Sequence, residues 1–274
     1  MDVLAAFMVP ALVGVGVGVL SGLLGIGGGT VLVPIFRLAF GMAPVGATAT
    51  SLFTIVPTSV SGVVEHVRHR TCIPALGVAA GLGGALTSPL GVWLASVSPG
   101  WLIMLAAALI IGYSAVNMLR KAIRMKPRGG AVGERVSTAE DTTEGTPKMT
   151  RKQLVMGAAI GLFAGLASGY VGVGGGFIMV PLMLSLVGIT MKQASGTSLV
   201  AVAILAVPGV ISQALLGNVH YLAGIAVAAG SIPGAIVGAR LVQVVPERQL
   251  RFLFGGFLFV AAAMLIANEF GILG

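Results

Sequence analysis

Charge is scarce in this 274-residue chain. Asp, Glu, Lys and Arg make up 9% of it, hydrophobic residues make up 57%, and mean hydropathy is +1.04. A soluble fold of this length carries far more charge. Acids are scarcer than bases, 8 against 16. Asp2, Glu65, Glu134, Glu140, Asp141, Glu144, Glu247 and Glu269 are all of them, and none sits in the middle of an apolar run. The buried carboxylate that usually marks a proton or sodium relay is therefore missing. His66, His69 and His220 fall at the ends of apolar runs. No intramembrane nucleophile–base pair or metal cluster can be assembled, which argues against an embedded enzyme. No cofactor and no metal are expected. Cys72 is the single cysteine, so an internal disulfide and a cysteine-built metal site are both excluded.

Long apolar runs are what the chain does have. Residues 4–25, 43–64, 73–95, 101–119, 154–172, 191–211, 220–244 and 249–267 are candidate spans. Each is close to the roughly 20 residues that cross a bilayer as a helix. The expected class is an all-α polytopic membrane protein. Asp2 and the absence of a basic leading segment read as the approach to a first span, not a cleaved signal. The net charge of +8 suggests nucleic acid at first sight, but the basic residues flank spans. Membrane topology explains them, and no nucleic-acid partner is expected. Residues 124–152 mix Gly, Ser, Thr, Pro and both charge signs with almost no large apolar side chain. That composition cannot bury a core and reads as a flexible linker. It divides the chain into 1–123, 124–152 and 153–274.

A glycine-rich motif occurs on both sides of the linker in one register. Gly25-Ile26-Gly27-Gly28-Gly29 through Val33-Pro34 returns 147 residues later as Gly172-Val173-Gly174-Gly175-Gly176 through Val180-Pro181. The same offset carries Gly14, Gly18 and Gly22 onto Gly161, Gly165 and Gly169, and Thr50-Ser51-Leu52 onto Thr197-Ser198-Leu199. It also carries Gly91 onto Gly238 and Pro99 onto Pro246. A register held over most of both halves is a duplication.

After each motif comes a segment too short to cross, 30–40 and 177–187. Eleven residues of helix reach about 16 Å, against a hydrocarbon core of about 30 Å. If each short helix returns to the side its predecessor came from, the halves are inverted. Arg68, Arg70, Lys192, Arg240, Arg248 and Arg251 then fall on the linker's side, and Arg37 falls opposite. If the short helix adds no reversal, most of these cations face away from the linker. The positive-inside rule selects inversion. A cytoplasmic linker and two outside termini are expected.

Inside a bilayer an unpaired backbone group costs several kcal/mol, so a glycine-rich break at depth must be packed in protein or line a wet cavity. Each break lies at the N-terminal end of its half-helix, where free N–H groups and the positive end of the dipole favour an anion. Gly25, Gly27, Gly28, Gly29, Thr30, Gly172, Gly174, Gly175 and Gly176 are therefore candidate ligand contacts. The evenly spaced Gly14-Gly18-Gly22 and Gly161-Gly165-Gly169 read as helix packing instead. The nucleotide fingerprint is set aside, because its last glycine is Thr30 in one copy and Phe177 in the other.

Thr50, Thr54, Thr58 and Ser61 make one polar stripe, interrupted by Pro57, which frees the Phe53 carbonyl. The stripe fades to Thr197, Ala201, Leu205 and Pro208 in the second half. Thr50, Ser51, Thr197 and Ser198 persist in both halves and join the candidate site. Arg240, Glu65, His66 and Arg68 are candidates for a gate at one mouth, with snorkelling and a solvated interfacial cluster as the plainer readings.

The paired glycine breaks, the Thr-Ser-Leu pairs and Gly217-Asn218-Val219-His220 together resemble the sulfite exporter TauE/SafE family. These are membrane permeases for sulfite and organosulfonates. The likeness covers nearly the whole chain outside the linker. The first half departs from it, with Arg70-Thr71-Cys72-Ile73 where the second has Gly217 to His220. The resemblance implies a transporter of a small sulfur-containing anion in a bacterial or archaeal plasma membrane. Two inverted repeats, each of four long helices and one half-helix, would alternate access around the breaks. Export is the expected direction. Import of organosulfur anions, or a scaffold or embedded enzyme subunit, are the alternatives. The expected partners are the small anion and the lipid bilayer, with a homo-oligomer left open.

Overall fold

The computed structural model describes residues 3–124 and 150–269. Most of the expected linker, at 125–149, lies outside the described residues. All regular structure among the described residues is helical. The first half holds α1 (Val3–Leu24), the short α2 (Gly29–Leu38), α3 (Pro44–Arg68), α4 (Pro74–Val97) and α5 (Gly100–Arg124). The second holds α6 (Arg151–Val171), the short α7 (Gly176–Leu182), α8 (Met191–Leu215), α9 (Tyr221–Val244) and α10 (Glu247–Glu269). Eight of these helices are long and apolar enough to cross a membrane. The chain is an all-α polytopic membrane protein.

Local chemistry sets the helix starts. Pro44 and Pro74 open α3 and α4, where a missing N–H leaves nothing unpaired. Thr150 with Gln153, and Thr190 with Gln193, form capping boxes at α6 and α8. Two features differ from expectation. Helix α3 runs on to Arg68, which carries Glu65 and His66 inside a packed helix. Helix α7 widens into a π-helical turn, Met183–Val187. There Ser185 Oγ donates to the Pro181 carbonyl at 2.7 Å, and Gly188 N–H closes the wider ring on Met183.

Helices of one half pack mainly on helices of the other. In α1, a Cβ at Gly14, Gly18 or Gly22 would stand 2.1–2.2 Å from the carbonyl oxygen of Val227, Ser231 or Ala235 in α9. In α6, Gly161, Gly165 and Gly169 meet Ala80, Gly84 and Ser88 of α4 with the same closeness. Only glycine permits backbones so near, the packing device read from the sequence.

These contacts also fix helix directions. Ascending numbers match in α1 with α9 and in α6 with α4, so each pair is parallel. Thr54 meets Gly224 and Thr58 meets Ser231, which aligns α3 with α9. Gly62 touches Leu199 whereas Leu52 touches Gly209, so α3 and α8 are antiparallel. Gly112 against Ala262 and Gly255 against Leu119 make α5 and α10 antiparallel too. Since α1 and α3 share a direction, α2 returns the chain to the end where α1 began. Gly100 packs on Pro44, so α5 starts beside the start of α3 and finishes at the opposite, linker end.

The duplication is written in the backbone. Positive φ occurs at Gly25, Gly27, Gly28, Gly41 and Arg70, and again at Gly172, Gly174, Gly175, Gly188 and Gly217. Each pair is 147 residues apart. The one non-glycine among them is Arg70, at φ 53°.

Candidate functional site

The two breaks meet in the middle of the bundle. Gly27 lies against Ile55 near the centre of α3 and Val202 near the centre of α8. Gly174 reaches the same Ile55 from the other half. Between the breaks the backbones touch. A Cβ at Gly29 would stand 2.5 Å from the Val173 carbonyl oxygen, and one at Gly176 would stand 2.4 Å from that of Gly25. Every residue from Gly25 to Thr30 and from Gly172 to Gly176 is buried. The breaks are closed off from both ends of the molecule.

Their hydrogen bonding is incomplete. Gly28 adopts φ 84° and its carbonyl accepts from Val31 and Leu32, which starts α2. Among the described residues, no acceptor meets the N–H groups of Gly27, Gly28, Gly29 and Thr30. Buried donors of this kind are rare and costly in a native fold. The second break is similar: Gly176 N–H closes on the Gly174 carbonyl at 2.9 Å, and among the described residues no acceptor meets the N–H groups of Gly174, Gly175 and Phe177.

Several buried hydroxyls of the bundle also lack partners among the described residues. Ser21, Thr30, Ser51, Ser59, Ser88 and Ser168 have buried Oγ atoms with no hydrogen bond. Three of them touch left-handed glycines. Ser59 Oγ is 3.4 Å from a Cβ placed on Gly27, Ser21 Cβ is 3.7 Å from one on Gly28, and Ser168 Cβ is 3.5 Å from one on Gly175. A buried hydroxyl without a partner costs about 1–3 kcal/mol and calls for an explanation. Ser21, Ser59 and Ser168 were not among the residues expected from sequence. Ser21 and Ser168 are 147 apart, and that recurrence was a signal for both. Ser59 faces Ala206 in the repeat register and carried none.

The Thr-Ser pairs divide into two roles. Thr50 Oγ1 accepts from the His220 backbone N–H at 3.0 Å, and Thr197 Oγ1 accepts from that of Ile73 at 2.9 Å. His220 and Ile73 are the residues that lead into α9 and α4. Each threonine thus ties down the start of a helix in the opposite half. Ser198 Oγ lies 2.6 Å from the Gly25 carbonyl and 2.9 Å from that of Ser195. Its counterpart Ser51 has no partner. Thr58 Oγ1 and Ser231 Oγ bond to each other between α3 and α9.

The four gate candidates also separate. His66 is fully buried and faces inward, away from Glu65. Its Nε2 is 3.0 Å from the Gly22 carbonyl in the last turns of α1, and its Nδ1 is 2.7 Å from Thr71 Oγ1. A carbonyl only accepts, so Nε2 carries the proton and Nδ1 is free to accept from Thr71. Glu65 is buried as well, which corrects the reading of a solvated cluster. The end of α9 packs over it and supplies Arg240, whose Nε donates to Glu65 Oε1 at 2.6 Å. Arg240 is therefore paired, not merely snorkelling. Arg68 stays exposed at 3.8 Å from Glu65 Oε2. Cys72 is buried in the loop after α3, and burial pushes its thiol pKa up, which leaves it unreactive.

Chemically, the centre offers backbone N–H groups, hydroxyls and no negative side chain. It is a closed, acid-free donor set at the midpoint of a membrane bundle. The profile of the family described as sulfite exporter TauE/SafE matches residues 10–265. The chain belongs to this family. It is similar to the probable membrane transporter protein YdhB of Bacillus subtilis, 28% identical over 235 residues, covering 85% of this chain and 89% of the relative. YunE of the same organism, also a probable membrane transporter protein, is 26% identical over 243 residues, with 86% and 87% covered. The archaeal MJ0441 of Methanocaldococcus jannaschii, described likewise, is 24% identical over 278 residues, with 94% and 96% covered. No solved structure matches the chain. This TauE/SafE family member is a membrane transporter and not an enzyme, and it works on a small molecule in a lipid bilayer.

Proposed function

We propose that this transporter exports sulfite or a small organosulfonate through a site at the first glycine break. The observation that carries the reading is the unpartnered donor set there. The N–H groups of Gly27, Gly28, Gly29 and Thr30 at the start of α2 have no acceptor, and beside them the hydroxyls of Ser21, Thr30 and Ser59 also lack partners among the described residues. Oxyanions accept many hydrogen bonds at once and are favoured at a helix N-terminus. Gly174 to Gly176 press on this site from the other half and complete its wall. Thr50 and Thr197 position helices around it, Ser198 bonds the Gly25 carbonyl, and Ser51 is its counterpart in the repeat register.

The described state is closed, so transport requires opening toward one end at a time. Antiparallel α3 with α8, and antiparallel α5 with α10, support two inverted repeats, 1–123 and 153–274, joined by the linker. Arg68, Arg70, Arg120, Lys121, Lys192, Arg240, Arg248 and Arg251 all fall at the linker end, and Arg37 at the other. The positive-inside rule then puts the linker in the cytoplasm and both termini outside. Cysteine tags at the termini that label only from the cytoplasm would overturn that orientation. With no relay carboxylate at depth, the inside-negative potential drives export. An anion leaving gains about 2.3 kcal/mol per charge per 100 mV.

The test is flux of radiolabelled sulfite in proteoliposomes under an imposed potential. Gly27→Leu sets a branched side chain against Val202 and Ile55 at a left-handed position and abolishes flux. Sulfite flux in the parent that survives Gly27→Leu would remove the site from the first break. Flux strictly dependent on a proton gradient would remove the driving force.

A further inference from the structure

At the linker end, the last turns of α3 and α9 line an open surface cavity of about 520 Å³ with Glu65, Arg68, His69, Arg240 and Gln243. Among the described residues its one acid is Glu65, whose side chain is 5% exposed. Three groups converge on that carboxylate. Arg240 Nε donates to Oε1 at 2.6 Å, His69 Nε2 is 3.0 Å from the same oxygen, and Arg68 Nη1 is 3.8 Å from Oε2. Two permanent positive charges therefore share one negative charge, and the cavity carries a net positive charge.

Neither arginine is used up by the carboxylate. Arg240 is 60% exposed and bonds Glu65 through Nε, and among the described residues its terminal amino groups have no hydrogen-bond partner. Arg68 is 70% exposed and makes its one approach at 3.8 Å. A guanidinium fork offers five donors in a plane, suited to two oxygens of one oxyanion. The opposite mouth lacks the arrangement. The repeat offset turns Glu65, Arg68 and His69 into Ser212, Leu215 and Leu216, and relates Arg240 and Gln243 to Trp93 and Ser96. The cluster is specific to one end.

We propose that this cavity is a second oxyanion-binding site, in which the Glu65 carboxylate occupies Arg240 until a tetrahedral or pyramidal oxyanion takes its place between Arg240 and Arg68. Glu65 is a competitor held in place, and the anion's source is either the aqueous phase or a lipid headgroup phosphate. The site lies on the surface ends of α3 and α9 and is separate from the one proposed at the glycine breaks.

The proposal makes opposite predictions for the two partners of one ion pair. Equilibrium binding of radiolabelled sulfate to the full chain is measured in zwitterionic nanodiscs, with thermal melting as a check that each variant is folded. Arg240→Gln weakens binding about tenfold, and Arg68→Gln on the exposed flank weakens it severalfold. Glu65→Gln removes the competing charge and tightens binding about tenfold. Binding is compared in a Gly27→Leu background, where the site proposed at the breaks is blocked, so failure of that site is read separately from sulfite flux that survives Gly27→Leu. Adding phosphatidylglycerol distinguishes the sources. A raised apparent Kd for sulfate assigns the seat to headgroup phosphate, and an unchanged one assigns it to free oxyanions. If Glu65→Gln and Arg240→Gln both weaken binding, or if folded parent and variants bind sulfate equally or not at all, the cluster is a structural ion pair and the proposal is wrong.

Discussion

The two glycine breaks share a backbone and differ in what surrounds it. Left-handed residues at 25, 27 and 28 are matched at 172, 174 and 175. Around the first break, Ser21, Thr30 and Ser59 have hydroxyls without partners, whereas at the second Ser168 alone is placed against a left-handed glycine. In the repeat register Thr30 becomes Phe177 and Ser59 becomes Ala206. The backbone geometry is common to both halves because packing requires it. Gly29 sits on Val173 and Gly176 on Gly25, so neither break can change its path without moving the other. Side chains carry no such constraint. Both breaks keep unpaired N–H groups, but the unpartnered hydroxyls placed against left-handed glycines favour the first, so the ligand site need not be symmetric even where the fold is.

Removing hydroxyls from the two breaks in turn separates an asymmetric site from a symmetric one. Ser59→Ala and Ser21→Ala each reduce sulfite flux by about tenfold to a hundredfold, the value of a hydrogen bond to a charged acceptor. Neither lowers the melting temperature, because each deletes a buried hydroxyl that has no partner in the closed state. Ser168→Ala changes flux by less than about twofold on the same reasoning. Equal losses at Ser21 and Ser168 would make the site symmetric.

A smaller and symmetric effect is expected at the threonines. Thr50→Val strands the His220 N–H, and Thr197→Val strands that of Ile73. Each loses about 1–3 kcal/mol of stability, the cost of a buried donor left without an acceptor. Chemical denaturation of the two variants should give similar losses, with flux per folded molecule retained. A flux loss in Thr50→Val without a stability loss would return Thr50 to the ligand site.

Much of the scaffold was legible before any coordinates. Apolar length marked the eight long helices, and consecutive glycines marked the breaks, because both signals are local in sequence. The packing role of Gly14, Gly18 and Gly22 was legible for the same reason. Partnerships across the chain were not. Glu65 and Arg240 are 175 positions apart, and nothing in either neighbourhood names the other. His66 looked like part of a charged surface cluster because Glu65 and Arg68 adjoin it, yet its ring turns inward to Gly22. Thr50 and Thr197 recurred, and recurrence alone could not say whether a ligand or a backbone N–H required them. Ser59 was invisible, since a missing partner exists only once the packing is known.

The smallest expected effect tests how far the duplicated backbone tolerates divergence. Helices α3 and α8 end in the same motif. Arg70 N–H bonds the Val67 carbonyl and Thr71 N–H that of His66, as Gly217 N–H bonds Ala214 and Asn218 N–H bonds Gln213. The motif needs a left-handed residue at its turn. The second half supplies Gly217 at φ 71°, and the first holds Arg70 there at φ 53°. A side chain in this conformation costs about 1–2 kcal/mol relative to glycine. Arg70→Gly should therefore stabilise the protein by about 1 kcal/mol, somewhat less than the full strain because glycine gains freedom when unfolded. Gly217→Ala should destabilise it by a similar amount. If Arg70→Gly is destabilising instead, the arginine side chain contributes more than its backbone strain takes away.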